Sequence, residues 1–290
     1  MKNLIPFSVA FSALASTCLP VVTNAQTTSE EARTPRKNVL FIAVDDLKPL
    51  LGCYGDPVAQ TPHIDRLAAR GTVFASAYCQ QAVSAATRAS LLTGMCPDRT
   101  RVWDLKTLIR SQNPDVVTLP QYFKENGYTV AGIGKIYDPR SVDKQQDARS
   151  WSKAYMEHSG FVNAKFEQPV MAQYQSRDVR ELYTKYSKEA QAQGMSKKNE
   201  IEKYVQKYVK PTTECADIPD NAYNDGAIAD GAVQFLADYH SAEPFFLAVG
   251  FKKPHLPFCA PKKYWDLYRR EAMPLATYRK KAAGSAELAY

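Results

Sequence analysis

Apolar residues fall along the chain in two patterns: short unbroken runs, and longer stretches where they recur every three or four positions. Asn38 to Val44 (NVLFIAV) has no polar break and reads as a strand buried on both faces of a parallel sheet, ending at Asp45 and Asp46. Phe245 to Val249 (FFLAV) is a second such run and leads into Lys253, Pro254 and His255, while Tyr128 to Ile133 is a strand leading into Lys135. Helical spacing covers His63–Arg70, opened by Thr61 and Pro62 and stopped by Gly71. It returns from about Thr87 to Gly94, over Leu119–Glu125 before Asn126 and Gly127, and over Ala227–Tyr239. Strands and helices alternate, which predicts an α/β fold with a doubly wound, mostly parallel sheet and helices on both faces. In such folds ligands bind beyond the carboxyl ends of the strands. Asp45, Asp46, Lys135 and His255 are delivered to that rim by separate segments, and this convergence is the main internal sign of a site.

The ends and one inner stretch differ in composition. Residues 1–25 carry Lys2, an apolar run from Leu4 to Val22 and small residues before Gln26, the pattern of a cleaved export signal rather than a membrane span. Export to a periplasm or the outside is expected. Residues 26–37 form a polar linker, and residues 38–290 the main domain. Within it, residues from about 140 to 214 are rich in Lys, Glu, Gln and Tyr and are expected as a peripheral, partly helical insertion. The formal charge is +7, or one less once Lys2 leaves with the leader. That mild excess suits an anionic substrate. Lys and Arg are interspersed with Asp and Glu, so no nucleic-acid face is expected. Cys53, Cys79, Cys96, Cys215 and Cys259 show no CxxC or metal-ribbon spacing and are expected as buried small residues, with one disulfide at most.

The rim residues suggest chemistry by type. Asp45 and Asp46 are a hard oxygen set suited to calcium or magnesium, with Ser84 as a further ligand; taken alone, the same pair also suits a turn. Ser84 falls at a helix start, where free backbone N–H groups and the helix dipole favour an anion, and Arg88 follows one turn later on the same side, placed to hold an oxyanion. Lys135, after a Gly-Ile-Gly turn, can meet an anionic oxygen, although a lone lysine is ordinarily surface. His255, framed by Pro254 and Pro257, can protonate a leaving alcohol because an imidazole titrates near neutrality. His63 reads as ordinary helix surface.

Those residues also carry a family resemblance. VSAATRASLLTG, with Ser84, Ala86 and Arg88, resembles the nucleophile loop of type I sulfatases, in its serine form. The stretches NVLFIAVDDLKPLLGCYGD, TPHIDRLAARGTVFASAYCQQAVSAATRASLLTG, LPQYFKENGYTVAGIGKIYDP and PFFLAVGFKKPHLPF are similar to the iduronate-2-sulfatase branch of that family. The resemblance implies an alkaline-phosphatase-like fold, calcium, and conversion of Ser84 to formylglycine by a maturation enzyme. It further implies catalytic roles for Ser84, Arg88, Lys135 and His255 on a sulfated glycan, specifically a 2-O-sulfated uronic acid of a glycosaminoglycan. Two departures stand out: family members carry a His where this chain has Asp138, and they continue into a second half with further metal ligands and a second Lys. The C-terminal portion of the fold is therefore expected to be missing here. Two other readings stay open: a phosphohydrolase of the alkaline phosphatase superfamily using unmodified Ser84, and a non-catalytic glycan-binding remnant.

Overall fold

A computed structural model describes residues 36–286. The expected leader over residues 1–25 and most of the linker lie outside the described residues. The strands are β1 (Val39–Val44), β2 (Thr129–Gly134), β3 (Thr213–Ala216), β4 (Phe245–Phe251) and β5 (Phe258–Pro261). The α-helices are α1 (Pro62–Ala68), α2 (Ser84–Thr93), α3 (Pro97–Thr100), α4 (Ile109–Gln112), α5 (Leu119–Glu125), α6 (Arg177–Ala192), α7 (Lys198–Val205), α8 (Asn224–Asp238) and α9 (Lys262–Trp265).

β4 lies between β1 and β2 and is parallel to both. The register pairs Val44 with Phe251 and Gly134 with Gly250, so the three strands end level. Backbone bonds from Asp45 N to the Phe251 carbonyl (3.1 Å) and from Lys135 N to the Gly250 carbonyl (2.7 Å) hold the chain as it leaves the sheet. Two glycines permit this close exit. Gly134 has φ of +82°, and a Cβ there would sit 2.1 Å from the Gly250 carbonyl oxygen; a Cβ on Gly250 would sit 2.1 Å from that of Lys135. Any side chain at either position would push β2 and β4 apart just where Lys135 is aimed.

Helices cover both faces of the sheet, as the strand–helix alternation predicts. On one face Val130, Phe246 and Ala248 pack with Ala85, Ala89 and Leu92 of α2, joined by Leu119 and Phe123 of α5. The Phe123 and Phe246 rings stack at 4.5 Å. On the other face Ala131, Ile133, Leu247 and Val249 pack with Ile228 and Ala232 of α8. β1 departs from expectation. It stands at the edge of this sheet, and Leu40 and Ile42 remain 47% and 50% exposed while Val39 and Phe41 join the core. The cause is that α8 lies over β2 and β4. An unbroken apolar run does not reveal whether one face or both are covered.

β3 and β5 pair in parallel as a separate two-stranded sheet. Beside them α6 and α7 enclose Val179, Ala190, Ile201 and Val205, with Cys259 of β5 in the same cluster. The stretch 140–214 is thus only partly peripheral. Val142 and Trp151 belong to the main core, and Gln146, Tyr155 and His158 line the main cavity. Its polar composition hides these single buried residues among many exposed ones. The cysteines also differ from expectation: only Cys259 is buried, Cys79, Cys96 and Cys215 are exposed, Cys53 is intermediate, and all five are free thiols. Among the described residues no helix is long and apolar enough to cross a membrane.

Candidate active site

The site forms where α2 meets the level ends of β1, β2 and β4. α2 begins at Ser84, earlier than the spacing predicts, because Val83 before it is already extended at φ −132° and ψ 124°. Val83 supplies no side-chain cap, so the first-turn N–H groups stay free for an anion. Burial of Ala85, Ala86 and Ala89 fixes the rotation of the helix. Ser84 and Arg88, four residues apart, consequently share the face that meets the strand ends.

Asp45 is the hub. Its Oδ1 accepts from Arg88 Nη2 at 2.8 Å, and its Oδ2 accepts from the Lys135 ammonium. Ser84 Oγ donates to Asp45 Oδ1 at 3.5 Å and accepts from Lys135 Nζ at 3.4 Å. Burial would raise the Asp45 pKa, but the hydrogen bonds and charges of Lys135 and Arg88 outweigh it and hold the carboxyl below its ordinary value. Two cations therefore serve one buried carboxylate. Both cations lie beside the Ser84 hydroxyl and the helix start, where the helix dipole favours an anion.

Arg88 occupies a place that the sequence did not foretell. Its Nη1 donates to the carbonyl oxygens of Lys135 and of Ile136, the latter at 2.9 Å, and its Nε has no partner among the described residues. The guanidinium ties α2 to the ends of β1 and β2.

Asp46 has a left-handed backbone, φ 54°, which turns its carboxylate outward from the end of β1. His255 Nε2 lies 3.8 Å from Asp46 Oδ2, and His255 Nδ1 is 2.6 Å from the Leu256 carbonyl oxygen. A ring that donates from Nδ1 to that carbonyl presents Nε2 toward Asp46. Asp45, Asp46 and His255 can place one ligand atom each within 4.8 Å of one another. His255 Nε2 thus stands beside the two acids at the mouth of the site. His63 is exposed and touches Arg66, remote from these groups.

A cavity of about 480 Å³ opens from Asp45 and Lys135 toward His255. Asp138 lines it, fully buried, and its charge is answered by Arg140: Nε and Nη2 donate at 2.9 and 2.8 Å, and the Arg140 backbone N at 3.0 Å. Repulsion of an anion by Asp138 is thereby offset. His158, another lining residue, is held neutral at physiological pH, because burial and then the charge of Lys252 push its pKa down to about 4. Arg140, His158 and Lys252 were not singled out from sequence; a doublet such as Lys252-Lys253 reads as surface until the strand before it is placed.

Two buried carboxylates give the molecule a defined acid limit. Asp138 with Arg140, and Asp147 with Arg110 (Nε and Nη2 both at 2.9 Å), would be raised by burial, yet hydrogen bonding to the arginine holds each below the ordinary 3.8. A carboxyl with a lower pKa folded than unfolded contributes stability that is complete above its unfolded value and is lost as pH falls through the folded one. The urea midpoint is expected to be level from pH 7 to about 5 and then to fall steadily toward pH 3. A midpoint at pH 3 equal to that at pH 7 would contradict both pairings.

Comparison with known proteins follows the same lines. The family model described as Sulfatase matches residues 37–285. The chain is 35% identical over 264 residues to iduronate 2-sulfatase of Mus musculus, and 34% identical over the same length to that of Homo sapiens. Each alignment takes in 91% of this chain and 42% of the relative, so the chain spans about two fifths of the length of the curated relatives it matches. Among solved structures, the phosphonate monoester hydrolase of Agrobacterium radiobacter is similar in fold, with TM-score 0.52 and 19% identity, covering 83% of this chain and 45% of that one.

Proposed function

The chain belongs to the sulfatase family, and from that premise we propose that it hydrolyses sulfate esters on carbohydrate, acting through position 84 on a 2-O-sulfated uronic acid of a glycosaminoglycan. The observation that carries the reading is the Ser84 hydroxyl at the start of α2, 3.4 Å from Lys135 Nζ and 3.5 Å from Asp45 Oδ1, beside a carboxylate that Arg88 and Lys135 both serve. The uronic acid follows from the relatives whose names specify iduronate 2-sulfate chemistry.

Asp45 and Asp46 fit a hard divalent cation, calcium in this reading: they are adjacent, oxygen-only, and within reach of each other. Ser84 is the neighbouring donor. Bound calcium would supply charge that draws a sulfate oxygen. A formylglycine made from Ser84 by a maturation enzyme would supply, once hydrated, an oxygen nucleophile for sulfur and a second hydroxyl whose ionisation releases sulfate. The rest falls to this chain's own side chains. Lys135 holds a sulfate oxygen against position 84, Arg88 fixes Asp45 and the carbonyl turn behind Lys135, and His255 Nε2 at the rim hands a proton to the departing sugar alcohol. A leader over residues 1–25 would place this chemistry outside the cytoplasm, where sulfated glycans are met.

Mass spectrometry of the Ser84 peptide, combined with assays of sulfate and phosphate release, separates the readings. The expected result is a peptide lighter by the mass of two hydrogens together with sulfate release from a 2-O-sulfated uronate disaccharide. Intact serine with phosphate release would instead establish the phosphohydrolase, and release of neither, with glycan still bound, the non-catalytic alternative.

A further inference from the structure

We propose that Lys252 forms a second anionic subsite, one that receives the carboxylate of the same sugar whose sulfate ester lies at Ser84. This rests on the reading above and adds the group that makes the site choose an acidic sugar over a neutral one.

Four Lys or Arg side chains line the main cavity: Lys135, Arg140, Lys252 and Lys253. Three have defined partners. Lys135 pairs with Asp45, Arg140 with Asp138, and the Lys253 ammonium donates to Gln173 Oε1 at 2.9 Å and to the carbonyls of His255 and Pro257. Among the described residues Lys252 has no ion pair and no hydrogen bond from its ammonium. Neither Asp225 nor Glu157 forms an ion pair with it. Asp225 accepts from the backbone N–H groups of Lys252 and Lys253 at 2.8 to 3.1 Å, and Glu157, exposed on the same cavity wall, is beyond ion-pair distance. A half-buried ammonium without a partner anion is poorly compensated, and a ligand carboxylate would answer its charge. The direction of its titration agrees: burial lowers the Lys252 pKa, Asp225 opposes this, and Lys135 and Lys253 lower it further.

Position decides what the anion belongs to. Lys252 follows directly on β4, the central strand, so it leaves the sheet between Asp45 after β1 and Lys135 after β2. Neighbouring strands lie about 4.8 Å apart, which sets Lys252 one strand away from the sulfate-facing groups, a separation that a single sugar ring spans. Lys252 also borders a second cavity of about 340 Å³, shared through Gln173 and Lys253, where the glycan can continue. Neutral His158 on the same wall is suited to a sugar hydroxyl rather than to the charge.

The test is calorimetric titration of the full chain at fixed ionic strength with three probes: inorganic sulfate, a 2-O-sulfated hexuronic acid, and the methyl ester of that acid. Wild type is expected to bind the free acid about tenfold or more tighter than the ester, the discrimination of one charge-assisted contact. Lys252→Met should bind acid and ester alike while keeping wild-type affinity for sulfate, and Lys252→Arg should restore the preference. Lys252→Gln serves as the second neutral variant should the methionine form fail to fold. Discrimination that persists in the neutral variants, or equal binding of acid and ester by a wild type that still binds sulfate, overturns the subsite alone. A wild type that binds none of the three overturns the reading at Ser84 as well.

Discussion

Replacing Arg88 by methionine is expected to remove about 3 kcal/mol or more of folding stability, the range for a buried ion pair broken on one side. The residue is 4% exposed, and its guanidinium serves three acceptors at once, the Asp45 carboxylate and the carbonyls of Lys135 and Ile136. Methionine fills the volume but returns none of these bonds, leaving two carbonyl oxygens without that donor and Asp45 with Lys135 as its one remaining cation. A domain with roughly 5–15 kcal/mol in hand would lose a large share of it. Lysine at this position should recover only part, because one ammonium cannot span acceptors laid out for a planar fork. Urea denaturation followed by circular dichroism reads the effect. A methionine variant with the wild-type midpoint would show that the guanidinium is not the tie between α2 and the strand ends.

How much of this was visible in the sequence depended on whether a residue's task is local. β2, α5 and β4 could be bounded within a few residues, because Gly127, Pro120 and the apolar runs are local signals. The rim of Asp45, Lys135 and His255 was legible for a related reason: in a parallel sheet the chemistry gathers after strand ends, and each of those residues follows one. What stayed hidden required knowledge of the neighbour. The exposure of Leu40 and Ile42 depends on which strands α8 covers, which no pattern within β1 records. The turning of Arg88 toward two carbonyls depends on the backbone path after Gly134, where a left-handed residue redirects the chain. Asp138, an apparent obstacle to an anionic ligand, is answered by a side chain only two residues away; the local D-P-R spacing held that pairing in view, yet only the burial of Asp138 makes it decisive.

Ser84→Ala is expected to abolish ester hydrolysis, by a factor of about 10³ or more, while leaving the fold unmoved. The two halves of that expectation come from the same geometry. The hydroxyl makes only long contacts, 3.4 Å to Lys135 Nζ and 3.5 Å to Asp45 Oδ1, so its removal forfeits little binding energy within the protein. Asp45 keeps Arg88 and Lys135, α2 keeps its buried alanines, and alanine is at least as good a helix former as serine. Melting should therefore stay within about 0.5 kcal/mol of wild type. Activity, by contrast, would lose the atom proposed as the nucleophile, whether serine itself attacks or its oxidised form does, and none of the surrounding cations can replace it. Sulfate release from the 2-O-sulfated uronate disaccharide, measured beside a thermal melt, tests both halves together. Hydrolysis surviving in a well-folded Ser84→Ala protein would move the reaction away from the start of α2, and with it the meaning of the positive charge assembled there.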